Sequence, residues 1–222
     1  MEDNITVNEN SRVIHPRNGL FYRMLKRTFD IFSSLAFLLV FGWFILLLVF
    51  IKFCEDGHNP IYTSIRVGKN GKLMKFHKIR SMKPHADTMK QELIDLGMNE
   101  ADGPVFKMKE DPRITKFGKF LRKYSFDELP QIWDIFVGRM SVVGPRPPLQ
   151  CEVEKYNEYQ SHRLDVKGGL LCLWQIQKNR HQISFDEWVD LDIKYVETRN
   201  VWLDIKIIFL GFFRVLFDHS GE

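Results

Sequence analysis

Cysteine is scarce in this chain of 222 residues: Cys54, Cys151 and Cys172 are widely spaced and odd in number. They form neither a disulfide framework nor a CxxC metal knuckle, so a reducing environment is the expectation. A dominant charge is also missing. Thirty-two Lys and Arg against 28 Asp and Glu leave +4. Dedicated nucleic-acid binders are far more basic, and no nucleic-acid partner is expected. No internal repeat and no low-complexity tract interrupts the chain. P-loop, GxGxxG, HExxH and GxSxG motifs are all absent, which removes several common signatures of phosphate binding and hydrolysis. What is present, 45% apolar and 27% charged residues, is enough for a packed core. The length suits one domain with an appendage.

One apolar run breaks this ordinary picture. From Ile31 to Phe53, 19 of 23 residues are apolar, the exceptions being Ser33, Ser34, Gly42 and Lys52. About 20 apolar residues suffice for a helix to cross a bilayer. The run starts late, is too long for a signal-peptide h-region and lacks a small-residue cleavage site. Arg17, Arg23, Lys26 and Arg27 precede it. After it, Gly57 to Ala86 carries seven Lys or Arg and no acid. The positive-inside tendency pulls both ends toward the cytoplasm. A helix that dips in, breaks at Gly42 and returns on the same face satisfies both ends; a single-pass anchor is the alternative.

The remainder reads as mixed α/β. Ile61–Val67 and Leu73–Arg80 are strand-like, and Asn70-Gly71 between them is a strong hairpin signal. Residues 84–102 read as a surface helix or loop. Phe117, Phe120, Leu121 and Tyr124 recur at helical spacing with basic residues interleaved. Ser125-Phe126-Asp127-Glu128 has the S-x-x-E form of a capping box, although Pro130 suggests a start one or two residues later. Gly144-Pro145-Arg146-Pro147-Pro148 is a rigid elbow carrying one arginine. Val201–Phe217 is rich in aliphatic and aromatic residues but interrupted by Asp204, Lys206 and Arg214. It fits an in-plane interfacial helix or a core-packed one. The scattered histidines His77, His85 and His181 carry no ligand pattern.

The adjacent acids Asp127 and Glu128 stand out. A carboxylate at a helix start among cations can hold Mg2+ or attack an electrophilic phosphorus, or it can merely cap the helix. The residues alone reach a membrane-associated domain with a basic face and an acidic pair.

The chain also resembles the bacterial sugar transferases, the monotopic polyprenyl-phosphate phosphoglycosyl transferases. The resemblance is carried by KRTFDI (26–31), RVGKNGK (66–72), FHKIRSM (76–82), DPRITKFGKFLRKYSFDELPQIWDIFVGRMSVVGPRP (111–147) and LDIKYVETRNVWLDIKI (191–207). It implies transfer of a sugar-1-phosphate from a UDP-sugar to polyprenyl (undecaprenyl) phosphate, releasing UMP and initiating capsule, exopolysaccharide, O-antigen or related glycan synthesis. It implies a helix-rich α/β fold with a re-entrant membrane helix and interfacial helices on the cytoplasmic face of the inner membrane. The expected division is a polar N-terminus at 1–20, a membrane-inserted helix at 21–55 and a catalytic domain at 56–222. No extra N-terminal spans are read, so a small, minimal form is expected. Carried over, the family's acidic pair falls on Asp127, the nucleophile of a phosphosugar–aspartate intermediate, and Glu128, which with Asp127 would hold Mg2+. Its basic positions fall on Lys78 or Arg80, on Arg122 and on Arg146, expected to clamp phosphate oxygens.

Departures accompany the resemblance. The family's Ser-Pro break is Gly42-Trp43, its Gln is Ser64, and its PGITG loop reads Gly168-Gly169-Leu170-Leu171-Cys172, followed by a shifted Gln175–Arg180 run. Two other readings stay open. One is a non-catalytic, membrane-anchored scaffold in glycan assembly. The other is a basic membrane-surface module that binds anionic lipid or nucleic acid without chemistry.

Overall fold

The computed structural model describes residues 14–17, 19–98, 108, 110–177 and 182–217. The polar N-terminus through 13, and residues 178–181 of the divergent run, lie outside the described residues.

Helix α1, Leu20–Asp56, is a continuous helix of 37 residues. It ends at Gly57, whose left-handed φ of 67° lets its N–H reach Phe53 O. The break expected at Gly42 is not formed. Glycine weakens a helix but keeps its N–H in the ladder, and only proline would remove it. The helix does not rise free of the rest either. Asp30, Ser34, Leu48 and Lys52 are buried along one side. Phe37 and Leu38 pack on Phe76, Ile132, Ile135 and Met140. Farther along, Leu48 joins Ile79 and Leu121, with Phe44 and Val49 against them. One body therefore holds α1 from Arg27 to Lys52, about 38 Å at 1.5 Å per residue. The opposite side exposes Leu39, Val40, Trp43, Leu46, Leu47 and Phe50. By length and composition α1 is long and apolar enough to cross a membrane.

The buried polar residues of α1 are satisfied within the fold. Asp30 accepts from Ser141 Oγ at 3.0 Å and Val142 N at 2.9 Å. Lys52, fully buried, pairs with Glu55 and Asp56. Arg27 donates to Ile135 O and Phe136 O, the last carbonyls of a short helix at Gln131–Phe136.

The sheets are small. β1 (Ile61–Val67) and β2 (Leu73–Ile79) form the expected antiparallel hairpin, register Ile61↔Ile79 to Val67↔Leu73. Its Lys69–Gly71 turn places Asn70 and Gly71 at φ 56° and 75°, which Asn-Gly accommodates. Next come α2 (Ala86–Asp95) and α3 (Lys116–Lys123), the latter capped by Thr115 Oγ1 accepting from Gly118 N at 2.9 Å. The short helix at Gln131–Phe136 is α4. β3 (Ser141–Val143) and β4 (Gly169–Leu171) pair in parallel, a contact too short to be seen in the sequence. Between them lie α5 (Gln150–Val153) and α6 (Glu158–Ser161), and α7 (Phe185–Thr198) and α8 (Val201–Phe217) follow. The arrangement is the mixed, helix-rich α/β domain with a hairpin and one long apolar helix that the resemblance implied.

Gly169 and Gly118 are among the glycines required by close backbone approach. A Cβ on Gly169 would lie 2.0 Å from Gly144 N, so a glycine here permits the β3–β4 contact. A Cβ on Gly118 would lie 1.8 Å from Ser81 O. Gly118→Ala must therefore push α3 off the end of β2. It is expected to cost about 3 kcal/mol and to lower the Tm by on the order of 10 °C in thermal unfolding. An unchanged Tm would contradict this packing.

Asp204 explains how α8 carries charge. It accepts from Tyr22 OH at 2.8 Å, Lys26 Nζ at 2.9 Å and Tyr195 OH at 2.7 Å, which ties α1, α7 and α8 together. One face of α8 is buried through Ile207, which realises the core-packed reading. The other face exposes Trp202, Ile205, Phe209, Phe212 and Phe213, the apolar surface that an interfacial helix needs.

Candidate active site

Asp127 and Glu128 sit on a 3-10 turn, Phe126–Glu128, rather than inside a capping box. Ser125 has a left-handed φ of 55° and makes no side-chain cap, and α4 begins only at Gln131 behind Pro130. Phe126 anchors the turn against Phe44 of α1, ring centroids 5.3 Å apart, and against Phe120 and Tyr124. Helix α1 is thereby part of the floor beneath the acidic pair.

Lys78 of β2 bridges both acids. Its Nζ lies 2.8 Å from Glu128 Oε1 and 3.5 Å from Asp127 Oδ2. Arg146, on the proline elbow, reaches Glu128 Oε1 at 3.4 Å. Arg122 of α3 is held by Ser81 Oγ at 3.0 Å and lies close enough to favour the Asp127 carboxylate. Three of the four sequence-derived cations therefore converge on the pair. Arg80 does not. Its guanidinium forms a two-pronged pair with Asp56, at 2.6 and 2.9 Å, and Nε donates to Asn59 O. It pins the end of β2 to the end of α1, so of Lys78 and Arg80 it is Lys78 that lies beside the acidic pair.

Arg66 is the residue that sequence reasoning left without a role. Its Nη1 donates to Pro147 O at 3.1 Å, and its guanidinium lies over the Phe76 ring at 5.1 Å. Burial first, and then Arg146 beside it, pull it down to about 10. The elbow docks along β1 through Val67 N donating to Pro148 O, and this brings Arg66 and Arg146 together. The neighbourhood then holds Arg66, Lys78, Arg122 and Arg146 against the two carboxylates. That surplus of positive charge suits a phosphate-bearing substrate.

The two acids differ electrostatically. Burial would raise both. For Glu128 the direct contacts with Lys78 and Arg146 overcome it and bring the group down to about 2. For Asp127 burial prevails over Lys78, and the Glu128 charge adds to it, so its carboxyl is raised. A pH titration following the Asp127 carboxyl by 13C NMR is expected to place its midpoint above the ordinary carboxylate range. A midpoint at or below that range would contradict the geometry. Cys172, buried nearby, is held well up by burial and stays a thiol.

Among the described residues no group of three or more His, Cys, Asp or Glu is placed to hold a metal. Two adjacent carboxylates still fit Mg2+, which commonly takes one or two carboxylates and completes its shell with phosphate oxygens and water.

With this geometry in hand, the comparisons with known proteins are specific. The bacterial sugar transferase family model matches residues 21–218. The chain is 45% identical over 185 residues to galactosyl transferase CpsE of Streptococcus agalactiae, covering 83% of this chain and 40% of that protein. It is 39% identical to the undecaprenyl-phosphate galactose phosphotransferase of Salmonella typhimurium, covering 84% and 39%. It is 36% identical to the exopolysaccharide production protein ExoY of Rhizobium meliloti, covering 90% and 88%. The chain thus spans about two fifths of the length of the first two and most of the third.

Proposed function

The chain belongs to the bacterial sugar transferase family, and from that premise we propose that it is a phosphoglycosyl transferase. It moves a sugar-1-phosphate from a UDP-sugar to polyprenyl phosphate, giving polyprenyl-diphospho-sugar and UMP, and so initiates exopolysaccharide or related glycan assembly. The observation that carries this reading is Lys78 Nζ bridging Asp127 and Glu128 amid a surplus of cations. The names of the relatives support the substrate classes.

The chemistry follows from the site. An Asp127 carboxylate oxygen attacks the β-phosphorus, and the bond from that phosphorus to the bridging oxygen breaks, its electron pair leaving with UMP. A polyprenyl phosphate oxygen then attacks the same phosphorus and displaces the Asp127 oxygen, which regenerates the carboxylate. Arg66, Arg122 and Arg146 hold phosphate oxygens, while Lys78 offsets charge at the attacking group. Mg2+ held by Glu128 and Asp127 would supply further charge neutralisation. Asp127 must be ionised to attack, and Lys78 opposes the burial that favours its proton.

A bilayer position accompanies this reading. The exposed apolar sides of α1 and α8 enter the cytoplasmic face of the inner membrane, which leaves the acidic pair where a lipid phosphate and a soluble nucleotide can meet.

Nucleotide identity tests the proposal. Detergent-extracted protein with Mg2+, undecaprenyl phosphate and UDP-galactose or UDP-glucose is expected to release UMP. Release of UDP would mean ordinary glycosyl transfer and overturn the mechanism. No nucleotide from any UDP-sugar, with folded protein, would favour the non-catalytic scaffold.

A further inference from the structure

A second group of cations has no part in the chemistry above. Arg23 lies exposed in the first turns of α1. Lys69, in the hairpin turn, and Lys167, just before β4, are half-buried. The hairpin turn packs on the 162–165 segment, which brings Lys69 and Lys167 onto one side of the domain. Arg199, buried at the end of α7, donates to Arg17 O at 2.7 Å and lies over the Tyr22 ring beside Arg23. The neighbouring acids are committed elsewhere. Asp165 pairs with His162, Asp30 accepts from Ser141 and Val142, and Asp204 takes Tyr22, Lys26 and Tyr195. Among the described residues, Arg23, Lys69 and Lys167 make no direct ion pair, although Asp165 lies near Lys69 and Asp30 near Lys167.

The mutual proximity has an electrostatic signature. Lys69 is lowered by burial, then by Arg23 and Arg199, against a smaller opposing pull from Asp165. Lys167 is lowered by burial, then by Arg27; Asp30 opposes this, and Lys69 and Arg23 add to it. Like charges that outnumber the carboxylates beside them cost free energy unless a further anion joins them. Apolar side chains flank the group: Leu20 is 70% exposed and Trp202, three residues after Arg199, 80%. An aromatic and aliphatic rim beside lysines and arginines is the pattern of a membrane–water boundary.

We propose that Arg23, Lys69 and Lys167, backed by Arg199, form an anion site that binds the phosphate of an anionic membrane lipid, separate from the Asp127 centre. The apolar rim favours a lipid headgroup over free phosphate, because a soluble anion makes no use of it. The site orients the domain on the bilayer and does not depend on the reaction proposed above.

Vesicle flotation of the full chain tests it. Vesicles of phosphatidylcholine containing phosphatidylglycerol are expected to bind wild type more tightly than phosphatidylcholine alone. Lys69→Gln with Lys167→Gln is expected to lose affinity for the anionic vesicles about fivefold per charge, about 30-fold together. Lys155→Gln with Lys194→Gln, an equal charge removed from other exposed positions, should lose much less. Equal losses in both doubles, or no effect of phosphatidylglycerol, would overturn the site. Amine-acylation footprinting of the wild type is independent of how the variants fold. Anionic vesicles should protect Lys69 and Lys167, and inorganic phosphate in detergent should not. Protection by inorganic phosphate would overturn the lipid assignment, and protection by neither would overturn the site.

Discussion

Asp127→Asn is expected to lower turnover by about 10^4-fold or more, the scale of removing a nucleophile rather than a binding group. The amide keeps the shape and the fold, since the ion pair that Asp127 makes with Lys78 is long, at 3.5 Å. What it loses is the oxygen that carries the phosphosugar. Donor alone, without lipid acceptor, should give wild type a burst of UMP stoichiometric with enzyme and the variant none. Retention of activity within tenfold would exclude Asp127 as the attacking group. Glu128 provides the contrast: it takes the direct hydrogen bond from Lys78 and the contact with Arg146, so it is the better-paired acid and the poorer nucleophile.

Lys78→Met is expected to lower kcat/KM by about 10^3-fold, the upper range for removing one preorganised electrostatic donor. It removes the ammonium shared by both acids and leaves Asp127 and Glu128 without it. Lys78 is the cation that most opposes the raised Asp127 carboxyl. Its loss should raise that carboxyl further. The ionised fraction then falls at a given pH, and the acid limb of kcat/KM moves to higher pH. A purely structural role would lower activity without moving the limb. Lys78→Arg should restore part of the rate and return the limb toward wild type.

The hairpin, the α3 spacing and the apolar helix were legible because each rests on local pattern. Asn70-Gly71 needs only its own left-handed backbone, and the apolar run needs only its length. The capping-box reading of Ser125 failed because Pro130 delays α4, and a 3-10 turn fills the gap. The Gly42 break failed because glycine retains its N–H and the domain packs along α1 on both sides of that position. The places of Arg80 and Arg66 were not legible for a related reason. Which arginine lies beside the acidic pair depends on the neighbours that hold it, Asp56 for Arg80 and the Pro147 carbonyl for Arg66.

By itself the sequence determined the helix-rich α/β class, the apolar helix, the family and the acidic pair, because these lie in composition, short-range spacing or contiguous motif. Only the tertiary structure decided that one cation bridges both acids, that Asp127 is the carboxyl at which burial prevails over the cations, and that α1 lies along the domain instead of leaving it. These are matters of distance between segments far apart in the chain. Lys78 is 49 positions before Asp127, and Asp30 is 111 before Ser141. Interactions of that kind arise from packing, and no local pattern encodes them.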